Sequence, residues 1–424
     1  MTNLIAGQRL LFRLLFRDGW TLFREVAFAY DHPRHVPGPD GAPRTQYVFR
    51  RETVDRYNQR FDEVKAELRR VVAVRGLFGS SFILPLFVIR LACVVAAATS
   101  GFLATVLVSL FQFVVAPYSF FASVAAWLAV DPFYIIHFLG FAVLQAGTGV
   151  VYGKVPWLAA YLRVPITWKF IGLLFLVDQL ICLSLLFRTP IGRPQRVPWR
   201  RTLQSVGYGF INCKTYWLIL LILLMRYGVR VDLLALGIHA LIPYAWIMRG
   251  ARAIKPILPP NTTHWTFPGA MFYHYHRMVH LPGPYVHAHR PHHYLLDSTP
   301  FDADMYGSGM PEEWCKLMTE LAVCLSTGLM PWSFTWPTIK ESLGNRIGHT
   351  RLEGEHPIAD NFHTNHHTTH VRNFGFNNLP LDLLMNTAHG DVSRMANWDN
   401  GRTRCAKLVE GEHYVLEIRT DPNQ

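Results

Sequence analysis

Residues 83–116 read ILPLFVIRLACVVAAATSGFLATVLVSLFQFVVA, with Arg90 the one charge in the run. The apolar character extends in both directions. From Ser80 to Tyr152 only Arg90, Asp131 and His137 are ionisable. A helix crossing a bilayer takes ~20 apolar residues, so this stretch reads as about three spans, with breaks near Gly101 and Pro117. A further span is predicted over 170–187. Two shorter runs, 217–225 and 233–248, read as a hairpin turning near Gly228. Between Arg188 and Arg201 lie five Arg and no acid, and Arg249, Arg252 and Lys255 follow the hairpin. Basic connecting segments mark the cytoplasmic side, so the chain beyond Lys255 is expected to begin there. Asp178, inside a span, is read either as functional or as paired with Arg or held by a polar contact inside the bundle.

The composition of all 424 residues agrees: half are hydrophobic, 17% are charged, and mean hydropathy is +0.15. Soluble domains carry about a quarter charged residues, so neither a disordered chain nor an ordinary soluble enzyme fits. Lys and Arg number 41 against 29 Asp and Glu, a net charge of +12. In this setting the excess suits an anionic membrane surface, and no nucleic-acid partner is expected. The six cysteines are scattered without a CxxC pair, which supports neither a disulfide framework nor a zinc ribbon.

Four segments follow: an N-terminal part (1–78), a transmembrane bundle (79–255), a histidine-rich region (256–399) and a tail (400–424). In the first, Leu10, Leu11, Leu14 and Leu15 alternate with Arg9, Arg13 and Arg17, the pattern of a helix lying in the headgroup layer. Arg interrupts the apolar core and no cleavage pattern follows, so it does not read as a signal peptide. Pro33, Pro37, Pro39 and Pro43 make 32–44 a predicted loop. Val54, Tyr57, Phe61, Val64, Leu68 and Val71 then predict an amphipathic helix packed on the rest of the protein.

Fourteen of the 20 histidines lie between His264 and His370. Three clusters stand out: His276 and His280; His289, His292 and His293; His363, His366 and His367. On a helix, positions three and four apart share a face, so each cluster can aim two or three imidazoles at one point. Neutral imidazole suits iron, copper, nickel and zinc. Eight such ligands exceed what one tetrahedral zinc takes and fit two ions that each keep an open position. His264, His274, His287, His356 and His370 read mainly as hydrogen-bonding partners of ligands.

The three clusters resemble the histidine boxes of the fatty acid hydroxylase/sterol desaturase superfamily of integral membrane di-iron enzymes. The resemblance covers about 273–387. It includes the short step from His280 to His289, and it continues in Asn373-Phe-Gly375 and Leu379-Pro-Leu-Asp382. It implies an all-α fold, a polytopic membrane helix bundle with a cytoplasmic helical cap holding a dinuclear metal site. It implies ligand roles for His276, His280, His289, His292, His293, His349, His363, His366 and His367, with Asn345 one turn before His349 as a supporting residue. It implies two non-haem iron ions, O2 as co-substrate, and hydroxylation or desaturation of an unactivated C–H bond in a lipid: fatty acyl, sphingoid or sterol. The chain departs from the pattern in a short interval between His349 and His363, in the insert Asp297–Asp304, and in its long N-terminal part.

Such chemistry takes electrons from outside. His32-Pro-Arg-His35-Val-Pro-Gly38 lacks the His-Pro-Gly-Gly haem motif of fused cytochrome b5 forms, and no convincing GxGxxG is present. No bound haem or NAD(P)H is therefore expected. A separate ferredoxin or cytochrome b5 with its reductase would dock on Arg193, Arg196, Arg200 and Arg201 through electrostatic steering. Two rivals stand beside this reading. A zinc-dependent membrane hydrolase would need a general base such as the Glu of HExxH, and no box contains one. A metal-binding membrane protein without catalysis would place its ligands within spans, whereas these boxes lie in Pro-, Arg- and Asn-rich sequence.

Overall fold

Val54, Tyr57, Phe61, Val64 and Leu68 recur at alternating steps of three and four, and the chain from Arg51 to Val71 is a helix that buries all five. The computed structural model describes residues 2–38, 41, 43–72, 83–189, 192–241, 267–296, 298–302, 310–327, 346–353, 362–375, 379–389 and 403–420. The chain is mostly helical and divides into two compact units. The first comprises Met1–Gly76, Ala251–Val286 and Arg351–Gln424; the second comprises Leu77–Gly250 and His287–Thr350. The histidine-rich region is thus shared between both units. Arg249, Arg252, Lys255, His264, Asn345 and His356 lie outside the described residues.

The first unit is not all-α. Residues 34–37, 43–50, 413–420 and 403–410 form, in that order, a four-stranded antiparallel sheet. The Pro-rich segment read as a loop is a strand hairpin, and the tail supplies two further strands. The cause is a period-two pattern that short segments hide. Phe49, Cys405, Tyr414 and Leu416 join the buried core, and Tyr47 and Ile418 pack against it. Their opposite face carries a buried Arg44–Glu417 ion pair at 3.0 Å, with Gln46 donating to the same carboxylate at 2.9 Å. The Gly411-Glu412 loop closes the C-terminal hairpin with Gly411 at φ 57°, a left-handed conformation that glycine adopts without strain.

Against this sheet pack Leu22, Phe23, Val26 and Ala29 of the helix Gly19–Asp31, with Ala270 and Tyr273 of the helix Phe267–Val279. Leu11, Leu14 and Leu15 are buried and Arg9, Arg13 and Arg17 exposed, so the N-terminal helix is two-faced. Its leucine face turns into the protein, not toward lipid. Where a π turn, Leu14–Asp18, joins the two N-terminal helices, the ring of His274 fills the gap. The Leu14 carbonyl can only accept, so His274 donates Nε2–H to it (3.2 Å) and accepts from the Tyr57 hydroxyl at Nδ1 (2.5 Å). Burial pushes its pKa down to about 3, which keeps it neutral.

In the second unit Gly101 (φ 89°) and Pro117 break the first apolar stretch where the sequence places breaks. The helices are Ile83–Thr99, Phe102–Ser109, Phe111–Val115 and Tyr118–Lys154. Among the described residues one helix, Trp168–Phe187, is long and apolar enough to cross a bilayer. A second span results if Phe102–Val115 and Tyr118–Ala129, bent by 115°, count as one. That falls short of the six or so spans read from hydropathy. The breaks at Gly101 and Pro117 leave Ile83–Thr99, Phe102–Ser109 and Phe111–Val115 short of a span, and 242–248 of the hairpin lie outside the described residues. Thr215–Arg226 is apolar but short and almost wholly buried. Asp178 is also buried, paired with Lys214 at 2.7 Å and with Arg346, so the ion-paired reading of this residue holds.

A Cβ on Gly19 would lie 2.5 Å from His274 Nε2, and that ring is pinned at both nitrogens. Ala gains about 1 kcal/mol of helix propensity over Gly, but overpacking a pinned ring costs about 1–3 kcal/mol. Gly19→Ala is therefore expected to lower the thermal midpoint in a melt. An unchanged or higher midpoint would show that the ring yields.

Candidate metal centre

In the first unit two helices carry histidines. His276 lies on Phe267–Val279 with His280 one turn further on. His363, His366 and His367 lie on Phe362–Thr369. His276 Nδ1 is 2.7 Å from the Phe374 carbonyl and His366 Nδ1 is 2.7 Å from the Arg372 carbonyl. Carbonyls only accept, so both rings hold their proton at Nδ1 and present a bare Nε2 lone pair. Ligand nitrogens of His276, His280 and His366 lie within 4.8 Å of one another. Phe374 packs against all three rings, with centroids 5.2–5.9 Å away. Beside them His363 and His367 bring their Nε2 atoms to 3.3 Å.

The loop that supplies those carbonyls is fixed by Asp382. Its carboxylate accepts from the Phe374 and Gly375 amides at 2.8 Å and from the Thr387 hydroxyl at 2.7 Å. Thr387 Oγ1 also meets the Tyr273 hydroxyl at 2.8 Å, on the first-box helix. Asn373 donates to the Phe362 carbonyl at 3.1 Å, at the start of the last-box helix. Burial pushes the Asp382 pKa up to about 7, against these three donors. The Asn373-Phe-Gly375 and Leu379-Pro-Leu-Asp382 signatures therefore sit where they can orient two imidazoles.

In the second unit His289 Nδ1 faces the Glu312 carboxylate at 3.1 Å, and its Nε2 lies 3.1 Å from His293 Nε2. His292 and His349 bring their Nε2 atoms to 3.2 Å. Tyr208 donates to the Pro291 carbonyl at 2.6 Å and stacks on Tyr294, which holds the second box in place. Arg346, paired with Asp178, anchors the turn that bears His349, and Ser298 donates to the His349 carbonyl at 2.8 Å.

Several histidines thus cluster within metal-binding distance. Two ligands bound about 2.0–2.1 Å from one ion stand about 3 Å apart, and the three Nε2 pairs have that separation. A ring whose Nδ1–H is held by a carbonyl or carboxylate is the usual form of a metal-bound histidine. The donor set fits metal.

The supporting residues divide. His370 ends the last-box helix at φ 58° and meets the Tyr285 hydroxyl at 3.1 Å, while the Tyr285 ring lies 5.3 Å from His280. His287 accepts from the Tyr118 amide at 3.2 Å, with its pKa pushed down to about 4 by burial. His274 serves the N-terminal packing described above. Arg193, Arg196 and Arg200 are exposed and Arg201 is half-buried. Sequence reasoning missed Glu312. Its only signal is the Glu312-Glu313 pair opening the helix Met310–Thr327, which reads as ordinary helix-start charge.

No known protein family, curated protein or solved structure matches the chain.

Loss of the carboxylate behind a ligand histidine weakens metal binding by about 10–100-fold. Glu312→Gln keeps an acceptor for His289, so the fold should survive with affinity reduced to that degree. Titration with Fe(II) and Zn(II) measures it, and wild-type affinity would remove Glu312 from the centre.

Proposed function

We propose that this chain is a membrane-bound, O2-dependent di-iron enzyme that hydroxylates or desaturates a lipid at an unactivated C–H bond, with electrons from a separate donor. One observation carries the reading: three pairs of imidazoles bring their Nε2 atoms to 3.1–3.3 Å, while the outer nitrogen of His289 is tied by Glu312 and those of His276 and His366 by backbone carbonyls. Nine imidazoles, His276, His280, His289, His292, His293, His349, His363, His366 and His367, are more than one ion takes and fit two with open positions. The pair of irons supplies oxidising power that acid–base side chains cannot, since a lipid C–H bond offers neither an acidic proton nor a polarised carbonyl.

The chain's own groups hold and orient. The Phe374 and Arg372 carbonyls and Glu312 fix ring tautomers, and Phe374 excludes water from three of the rings. A lipid substrate and a multi-pass membrane setting with a cytoplasmic site are the natural context. Leu84, Val88, Leu91 and Val95 form an outward apolar stripe on one helix, and Leu173, Leu176, Leu180, Leu183 and Phe187 on another. Exposed Arg193, Arg196 and Arg200 offer a basic surface to an acidic donor protein. A zinc hydrolase is less well supported. The buried Glu312 beside His289 faces the outer nitrogen, Nδ1, and not the nitrogens that point at one another.

Lipid mass spectrometry of cells with and without the chain tests the proposal. A lipid gaining one oxygen atom marks hydroxylation, and one losing two hydrogens marks desaturation. His292→Ala should abolish either product while leaving the protein in the membrane fraction. Unaltered lipids in cells carrying iron-loaded wild-type protein would contradict the reading.

A further inference from the structure

From Thr2 to Asp31 the chain runs as helix, π turn and helix without a break. One side, with Leu11, Leu14, Leu15, Leu22, Phe23, Val26 and Ala29, is buried. The other shows Ile5, Phe16, Trp20 and Phe28 at 45%, 54%, 56% and 62% exposure. Arg9, Arg13, Arg17 and Arg24 are exposed between them. Steps of three and four residues keep all eight on one stripe. The acids of this segment are mostly occupied elsewhere. Glu25 is buried and grips Arg50 at 2.8 Å, and Asp18 pairs with Arg60 at 3.4 Å. Among the described residues none of the four Arg forms an ion pair.

A stripe of large aromatic groups and unpaired Arg suits neither water nor a copy of itself. Contiguous exposed apolar groups mark an interaction surface, and a symmetric contact with a second chain would set Arg against Arg. A bilayer interface meets both needs. Aromatic rings settle at the headgroup level, apolar Arg stems lie along the acyl boundary, and the guanidinium groups reach lipid phosphates. We propose that the Ile5–Phe28 stripe is a docking surface for an anionic bilayer, which it enters with Phe16, Trp20 and Phe28 while Arg9, Arg13, Arg17 and Arg24 bind phosphates. This stands independently of the metal reading. It also reverses the orientation expected from the sequence, since the leucine face packs inward.

Full-length protein in phosphatidylcholine vesicles containing about a third phosphatidylglycerol provides the test. Photoreactive p-benzoylphenylalanine replaces Phe16 or Trp20, with exposed Ala66 on the neighbouring helix as control. Irradiation should give lipid adducts at 16 and 20 and not at 66. The double substitution Arg13→Glu, Arg17→Glu should cut the yield by about tenfold or more, as expected for removing two phosphate-binding charges. Adducts at 16 and 20 no more frequent than at 66, or adducts to a second copy of the chain, would overturn the proposal. Metal content of the same samples reports on the centre separately.

Discussion

Two bare imidazole nitrogens about 3 Å apart in a buried site repel unless something positive lies between them. Three pairs of imidazole Nε2 atoms stand at that separation here, His289 with His293, His292 with His349, and His363 with His367, and either a proton or a metal ion between them supplies the positive charge. Elsewhere the same residue type is spent differently. His274 has both nitrogens bonded and serves packing, and His287 accepts from an amide and fastens one segment to another. The difference lies in whether a ring nitrogen faces another imidazole or a different protein group, and the rest of the proposed chemistry depends on that.

The fold is organised to keep those rings in place. Asp382 receives two amides and a hydroxyl, and thereby fixes the loop whose carbonyls hold His276 and His366. Tyr273 and Asn373 tie the same loop to the two box-bearing helices of that unit. In the other unit, Glu312, Tyr208 and Arg346 do comparable work for His289, the second box and the His349 turn. The braces made by Tyr208, Tyr273 and Arg346 join segments 83 to 168 residues apart in sequence.

That separation explains how much was legible beforehand. Spacing reveals the boxes because a helix converts three- and four-residue steps into a shared face, and the same rule finds the helix of Val54, Tyr57 and Phe61. Breaks at Gly101 and Pro117 are legible for local reasons, positive φ and a missing amide. The sheet was not legible. Its strands at 43–50 and 403–420 are short, interrupted by charge, and gain meaning only when paired across most of the chain. Among the described residues fewer helices pass as spans than hydropathy suggests, because apolar composition does not report where helices break or bury. Glu312 and the carbonyl braces have no pattern of their own, since only tertiary placement makes them partners of histidine.

The central claim is that the box histidines hold two irons. Elemental analysis with Mössbauer spectroscopy on the purified full-length chain, prepared with iron in the medium, measures this directly. About two irons per chain are expected, with the signature of a coupled pair in nitrogen-rich coordination. A chain that carries no metal, or a single zinc that iron does not displace, would contradict it.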